Sequence, residues 1–105
     1  MSEPSERPDL GSVTPEDFQP AIGQTFEARP PAPGGPLPLV LAGIRRRTGP
    51  LGFREPFSLE FLGPRRPAYG QGMYRLSHPR LGDLEVLMVP AGVSDAGVSY
   101  EVSFG

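Results

Sequence analysis

The alternation of apolar and polar residues between Arg54 and the C-terminus constrains the fold more than any other feature of this chain. Three stretches carry it, REPFSLEF, GMYRLSHPRLGDLEVLMVPAG and VSYEVSF, and turn residues separate them. An apolar residue at every second position is typical of strands with one buried face. The 14 glycines and 15 prolines mostly punctuate these apolar runs, so they favour short strands joined by turns over a disordered chain.

The same reading predicts about six strands and one short N-terminal helix. Thr14 can cap a helix and Pro15 suits its first position, and we expect Phe18 and Ile22 to cover one end of the core. The predicted strands span residues 24–29, 37–46, 57–61, 74–76, 84–89 and 98–104, and residues 90–97 are predicted to form a loop.

Successive hairpins indicate an antiparallel meander. We expect a mainly β fold in which six short strands curl into a small barrel or fold into a sandwich. Segment 84–89 is apolar on both faces apart from Glu85, which predicts a central strand that is either covered on both sides or pinned under a loop. The predicted organisation is a single β domain over residues 14–105, preceded by a flexible, acidic, proline-containing arm at residues 1–13.

Composition excludes several kinds of chemistry. The chain has no cysteine and no lysine, which removes thiol nucleophiles, cysteine-bound metals, lysine Schiff bases and the Walker phosphate loop. Its one histidine, His78, precedes Pro79 in a predicted turn, where we expect the ring to hydrogen-bond backbone or water. We therefore expect a protein that is not an enzyme, with no cofactor and no metal site.

Four acidic residues leave two interpretations open: Glu60, Asp83, Glu85 and Glu101. A pair of carboxylates could supply acid–base chemistry if both flanked a cleft. The favoured interpretation is cross-strand pairing with Arg75 on a solvated sheet face.

Charge is uneven along the chain, with net values of −4 over residues 1–29, +6 over 30–82 and −4 over 83–105. All ten basic residues are arginines, and several fall in predicted loops beside aromatic residues. The candidate partner-contact residues are Arg45, Arg46, Arg47, Phe53, Arg54, Arg65, Arg66 and Tyr69. Two interpretations stay open: these arginines are solvated loop residues, or they form the rim of a contact with another protein, since arginine is enriched at protein interfaces.

The alternative is a small β-barrel that binds nucleic acid or a small ligand. Two observations disfavour nucleic acid: the chain is acidic overall, and the predicted hairpins place Arg45–Arg47 and Arg65–Arg66 at opposite ends of the sheet. No apolar run reaches the roughly 20 residues that span a bilayer, and the acidic N-terminus is unlike a signal peptide. We expect no membrane contact, and a location in the cytoplasm or in an assembled particle.

Segments along most of the chain carry a family resemblance. The segments Arg54–Phe61 (REPFSLEF) and Tyr74–Gly82 (YRLSHPRLG) are fairly specific together, and Tyr100–Phe104 is a further element of the resemblance. Over about residues 14–105 the chain resembles DUF6916, a small bacterial domain of unknown function. The family has no assigned activity, so the resemblance transfers no site residue. The resemblance implies a role in or beside a phage-tail-like particle, with a component of that assembly as partner. The β pattern, the missing catalytic groups and the loop arginines favour a non-catalytic interaction or structural module.

Overall fold

A computed structural model describes residues 13–30, 34–46, 56–66 and 69–104. A single helical turn, α1 (Pro15–Phe18), continues through a 3-10 turn at Gln19–Ala21 into the first strand. The six strands are β1 (Thr25–Arg29), β2 (Leu37–Arg46), β3 (Phe57–Gly63), β4 (Gly72–His78), β5 (Gly82–Ser94) and β6 (Gly97–Phe104). Apart from Val13, the predicted arm lies outside the described residues, and the side chain of Val13 is buried.

The strands form a closed antiparallel barrel in the order β1-β2-β3-β6-β5-β4, which confirms the predicted fold class and selects the barrel over the sandwich. The predicted meander is wrong at one connection. The chain crosses from β3 to β4 without pairing these strands, and β3 instead pairs with β6 while β4 pairs with β1. Two three-stranded meanders thus face each other. These two seams close the barrel, so every strand has a paired neighbour on both sides over at least part of its length.

Alternate residues of the strands point into the barrel, as the sequence predicts. In β2, Leu37, Leu39 and Leu41 are fully buried whereas Val40 is 38% exposed. The inward side chains of all six strands join one apolar cluster that also includes Phe18 of α1. Side chains therefore fill the interior, as in other small barrels.

Three phenylalanines close one end of the barrel, which we call the phenylalanine end: Phe18, Phe57 and Phe104. The rings of Phe57 and Phe104 stack with centroids 4.8 Å apart, and Phe18 of α1 lies 5.7 Å from Phe104. Phe18 covers the core as predicted, but Ile22 is 40% exposed and does not. The reason is local: Gly23 adopts a positive φ of 88° and donates its N–H to the Leu41 carbonyl, which turns the chain into β1 and leaves Ile22 outside.

Three tyrosines lie towards the opposite end, which we call the tyrosine end: Tyr69, Tyr74 and Tyr100. The Tyr74 hydroxyl donates to the Gly70 carbonyl at 2.6 Å, and the Tyr69 hydroxyl donates to the Gly35 carbonyl at 3.1 Å. The second bond joins the segment before β2 to the segment before β4. One end of the barrel is thus closed by apolar rings, and the other by rings that carry hydroxyl groups.

Strand β5 differs from the prediction in two respects. It continues through the predicted loop to Ser94, which pairs with Gly97, and a bulge between Pro90 and Gly92 absorbs the irregular residues. Its outward face is also more open than expected, since Leu87 is 48% exposed while its neighbours Val86 and Met88 are buried. The proline is tolerated because a bulge does not require every backbone N–H to enter the ladder.

Gly97 begins β6 at a point where the backbone of β3 comes very close. Its φ is +140°, and a Cβ at this position would collide with the carbonyl oxygen of Gly63. A residue with a side chain would need both a rare backbone conformation and a shift of β3. The seam between β3 and β6 therefore depends on glycine here.

We expect Gly97→Ala to lower the free energy of unfolding by at least about 2 kcal/mol, through backbone strain and loss of the close approach. Chemical denaturation followed by circular dichroism measures this. Gly92→Ala is the matched control: it lies in the same hairpin, has ordinary φ and has open space around its Cα, so it should stay within about 0.5 kcal/mol of the parent. Equal effects of the two substitutions would contradict the close packing at Gly97.

Phe61→Ala should cost about 3–5 kcal/mol of unfolding free energy, because it deletes a buried ring and leaves a cavity. Phe61 is 1% exposed and meets the Phe26 ring edge-on, with centroids 5.1 Å apart. Met73→Ala is the control on the outer face, where the side chain is 49% exposed and little should be lost. A melting temperature of Phe61→Ala close to that of the parent would mean that the inward face of β3 has been assigned wrongly.

Candidate interaction surface

The described arginines divide into two groups. Four of them form ion pairs, and each is exposed with its partner: Arg29 with Glu27, Arg45 with Glu60, Arg46 with Glu16 and Arg75 with Glu85. The other three, Arg65, Arg66 and Arg80, have no ion pair among the described residues. Surface ion pairs contribute little to stability, but an arginine that is already paired is less available to a carboxylate of another molecule.

In the predicted basic cluster at Arg45–Arg47, the two described arginines, Arg45 and Arg46, are therefore both neutralised by a carboxylate. Arg45 lies at the end of β2, and its guanidinium is 2.6 Å from the Glu60 carboxylate of β3. Arg46 pairs with Glu16 of α1, and the hydrogen bond from its guanidinium lowers the pKa of the Glu16 carboxyl. Arg47, Phe53 and Arg54, the other predicted contact residues at this end, lie outside the described residues.

Arg65 and Arg66 stand at the opposite end of the barrel, two and three residues after β3 ends at Gly63. Together with Val93 and Val98 they line an open hollow of about 730 Å³, which we call the arginine hollow. Val93 is 70% exposed, the highest value for any large apolar side chain in the described residues. The hollow thus combines two cations that lack ion pairs with an apolar side chain open to solvent.

Tyr69 lies near this end but is less available than predicted. Its ring is half-buried and packs against the core, and its hydroxyl is bonded to the Gly35 carbonyl. The structure thus brings Arg65, Arg66 and Tyr69 to the tyrosine end, and separates them from Arg45 and Arg46. Sequence reasoning missed Val93, because residues 90–97 read as a loop. The one feature of the sequence that could have indicated Val93 is that it is the single large apolar residue between Pro90 and Gly97.

The four carboxylates considered for catalysis do not share one cleft. Glu85 pairs directly across the β4–β5 ladder with Arg75, at 3.2 Å, as the favoured interpretation predicted. Glu60 and Glu101 are register partners on β3 and β6 and line a hollow of about 350 Å³ together with Arg45. Like charges directly opposite each other are destabilising in a ladder, and the ion pair of Glu60 with Arg45 offsets this.

Asp83 lies in a separate, open hollow of about 660 Å³ over β1. Proline rings, hydroxyl groups and the Glu27 carboxylate share its lining, and Glu27 is paired with Arg29 at 3.5 Å. Within the described ranges, no three His, Asp or Glu side chains are grouped so that they could hold a metal ion.

His78 has a structural arrangement that accounts for all its polar atoms. Its Nδ1 accepts hydrogen bonds from the backbone N–H groups of Arg80 and Leu81, at 3.1 and 3.3 Å. Nε2 must then carry the proton, which it donates to the side-chain oxygen of Gln24 at 2.7 Å. The predicted backbone hydrogen bonds of this ring are confirmed. Burial lowers the pKa of His78 below its usual range, and the charge of Arg80 lowers it further.

A comparison with family models gives one match that covers most of the chain. The model described as domain of unknown function DUF6916 matches residues 13–104. The chain belongs to the DUF6916 family. The match confirms the resemblance drawn from the sequence motifs and covers every described residue of the DUF6916 barrel.

No curated protein and no solved structure matches this DUF6916 domain. Among its described residues, no helix has the length and apolar character needed to cross a membrane.

The neutral ring of His78 makes the stability of this DUF6916 domain depend on pH. In the unfolded chain His78 takes up a proton near its ordinary pKa of about 6.5, whereas the folded state keeps the ring neutral to lower pH. The unfolded state therefore binds more protons below about pH 6.5, so the unfolding free energy should fall as the pH drops from 7.5 to 5.5. Thermal melts across this range measure the slope.

His78→Asn is the control for this effect, because its side-chain oxygen can still accept the turn N–H groups and cannot titrate in this range. We expect the variant to be less stable at pH 7.5 but to show a flatter pH dependence. A parent slope that survives unchanged in the variant would assign the titration to another group.

Proposed function

We propose that this DUF6916 domain is a non-catalytic protein-interaction module that docks onto an acidic surface of another protein through the arginine hollow. The observation that carries the proposal is the contrast between Arg65 and Arg66, which lack ion pairs among the described residues, and the four arginines that have them. A guanidinium offers a rigid fork of donors that matches a carboxylate, so an acidic partner fits this chemistry.

The exposed Val93 supports a protein partner over a purely ionic contact. Specific interfaces join an apolar centre to a polar rim, and Val93, which is 70% exposed, lines the same hollow as the two arginines and the buried Val98. Covering Val93 removes apolar surface from water, which contributes about 25 cal/mol for each Å² buried. The charged groups then set orientation and the rate of association.

The edge of β5 favours docking by side chains over addition of a strand. Beyond Met88, which pairs with Gly72, β5 has no partner on its β4 side among the described residues. Such an edge could accept a strand from another protein, but it carries Pro90 and a bulge, two features that discourage strand addition. The partner surface is therefore expected to meet Arg65, Arg66 and Val93 through its own side chains.

The filled interior supports recognition at the surface. Apolar side chains from all six strands meet inside the barrel, and the phenylalanine end is closed by stacked rings. The narrower proposal, that the partner belongs to a phage-tail-like particle, rests only on what the family resemblance implies. Identification of the bound partner is what tests it.

The test is co-purification of the full-length protein from its native cells, with the partner identified by mass spectrometry and its affinity then measured by biolayer interferometry. Arg65→Glu and Arg66→Glu should each weaken binding about tenfold or more, because they oppose an acidic partner with a like charge. Val93→Ser should weaken it to a smaller extent. Arg80→Glu is the matched control, since it reverses an exposed cation without an ion pair elsewhere on the barrel and should leave the affinity unchanged.

Two outcomes would overturn the proposal. One is a partner whose affinity responds equally to Arg80→Glu and Arg65→Glu, which would indicate general electrostatic attraction. The other is strong, salt-dependent binding of a single-stranded oligonucleotide that Arg65→Glu abolishes, which would favour the nucleic-acid alternative.

A further inference from the structure

The open hollow over β1, of about 660 Å³, places two carboxylates on one wall of the barrel, and we call it the acidic hollow. The strand register puts four of its lining residues in one row across β2, β1, β4 and β5: Pro38, Glu27, Ser77 and Asp83. Each of them is next to a buried residue in its own strand, so the row lies on the outer face. Adjacent strands are about 4.8 Å apart, which places the Cα atoms of Glu27 and Asp83 about 10 Å apart with Ser77 between them.

The acidic hollow keeps its negative charge. Asp83 has no ion pair among the described residues, and Glu27 has only the exposed contact with Arg29, at 3.5 Å. His78 also lines the hollow, but its ring is neutral and both ring nitrogens are engaged in hydrogen bonds. Arg75 lies on the same face of β4, where it is paired with a different carboxylate. The two carboxylates of the hollow are therefore available to a cation from outside.

The rest of the lining suits the side chain of an arginine. Three proline rings form apolar walls, and proline has no backbone N–H to offer an anion: Pro36, Pro38 and Pro79. An arginine can lay its apolar stem along such rings while its guanidinium donates to carboxylates. Because its donors form a rigid fork, a guanidinium matches a carboxylate better than an ammonium group does.

This chain carries suitable arginines in the arginine hollow, on a different part of the same barrel. Arg65 and Arg66 follow β3, and they share their hollow with side chains of β5 and β6. The acidic hollow is centred on β1 and β4, and β1 is neighbour to neither β3 nor β6 in the closed barrel. In the structure neither arginine pairs with Glu27 or Asp83. A second copy of the chain is free to bring the two hollows together.

We propose that the acidic surface recognised by the arginine hollow is the acidic hollow of a second copy of this chain. The inference rests on the proposed function, because it uses the same arginines and names their partner. Arg65 and Arg66 of one copy enter the row between Glu27 and Asp83 of the next, and the exposed Val93 packs against the proline rings there.

Such a contact joins two different surfaces, so copies associate head to tail. Each copy in a pair still has one unused hollow of each kind available at its outer side, and further copies can add. Contacts of this type give a ring where the rotation between copies closes and an open chain where it does not.

Sedimentation equilibrium of the purified full-length protein tests the proposal without any other partner. We expect monomers at low concentration and larger species as the concentration approaches about 1 mM, the range of a weak contact. Added salt should shift the equilibrium towards monomers, because it screens exposed charges. A parent protein that stays monomeric up to about 1 mM at low salt would overturn the proposal. That result would leave the proposed function standing, since the partner recovered from native cells tests it separately.

Variants that remove charge without changing shape identify the surfaces. Arg65→Gln combined with Arg66→Gln should weaken self-association at least about tenfold, and so should Glu27→Gln combined with Asp83→Asn. Glu101→Gln is the matched control, because Glu101 has no ion pair among the described residues and lines neither hollow. An equal loss in the control would overturn the proposal, since it would indicate a general effect of charge.

Mixing the two double variants gives the sharpest result. One retains only its acidic hollow and the other only its arginine hollow, so together they should form a 1:1 dimer with the affinity of the parent contact and nothing larger. Recovery of this dimer also shows that both variants are folded. If the mixture stays as weakly associated as each variant alone, the two hollows do not bind each other and the proposal is wrong.

Discussion

The pairing of β3 with β6 is the contact on which the barrel depends. Seven register pairs, from Phe57 with Phe104 to Gly63 with Val98, join the two halves of the chain along this seam. Each half is a three-stranded meander that could form locally, but neither can bury its apolar face alone. The seam brings Phe61 and Tyr100 together in the interior. Its tightest point is the approach of Gly97 to Gly63, where no side chain can fit.

Much of this architecture could be read from residue order, because alternation is a local signal. The bounds of β2 were predicted without error, and the inward residues of β3 and β6 follow directly from the pattern. Local signals failed where the outcome depended on distant partners. Pro90 and Gly92 indicate a loop by their own preferences, yet they extend β5 because β6 provides a partner strand and a bulge accommodates them. The β3–β6 register spans about 40 residues of sequence and leaves no local trace.

The candidate surface, too, was predictable only in part, because its ion pairs join residues that are far apart in the sequence. The sequence shows that the arginines are clustered. Which of them form ion pairs depends on the fold. Arg46 is paired with Glu16, thirty positions earlier, only because α1 lies against the end of β2. Arg65 and Arg66 have no ion pair among the described residues, and the hollow that they line is shared with the side chains of Val93 and Val98. The role proposed for Val93 depends on the β5–β6 hairpin, because only that hairpin brings Val93 into one hollow with Arg65 and Arg66.

The phenylalanine end has a consequence for the way this domain can be connected to other molecules. Phe18 follows Val13 by five positions, and its ring lies 5.7 Å from that of Phe104, so both ends of the described barrel leave it at the same pole. The arginine hollow lies at the other pole. The backbone next to Val13 and next to Phe104 therefore starts at the pole opposite the proposed docking surface, and a label placed at either of these two positions would leave the arginine hollow uncovered.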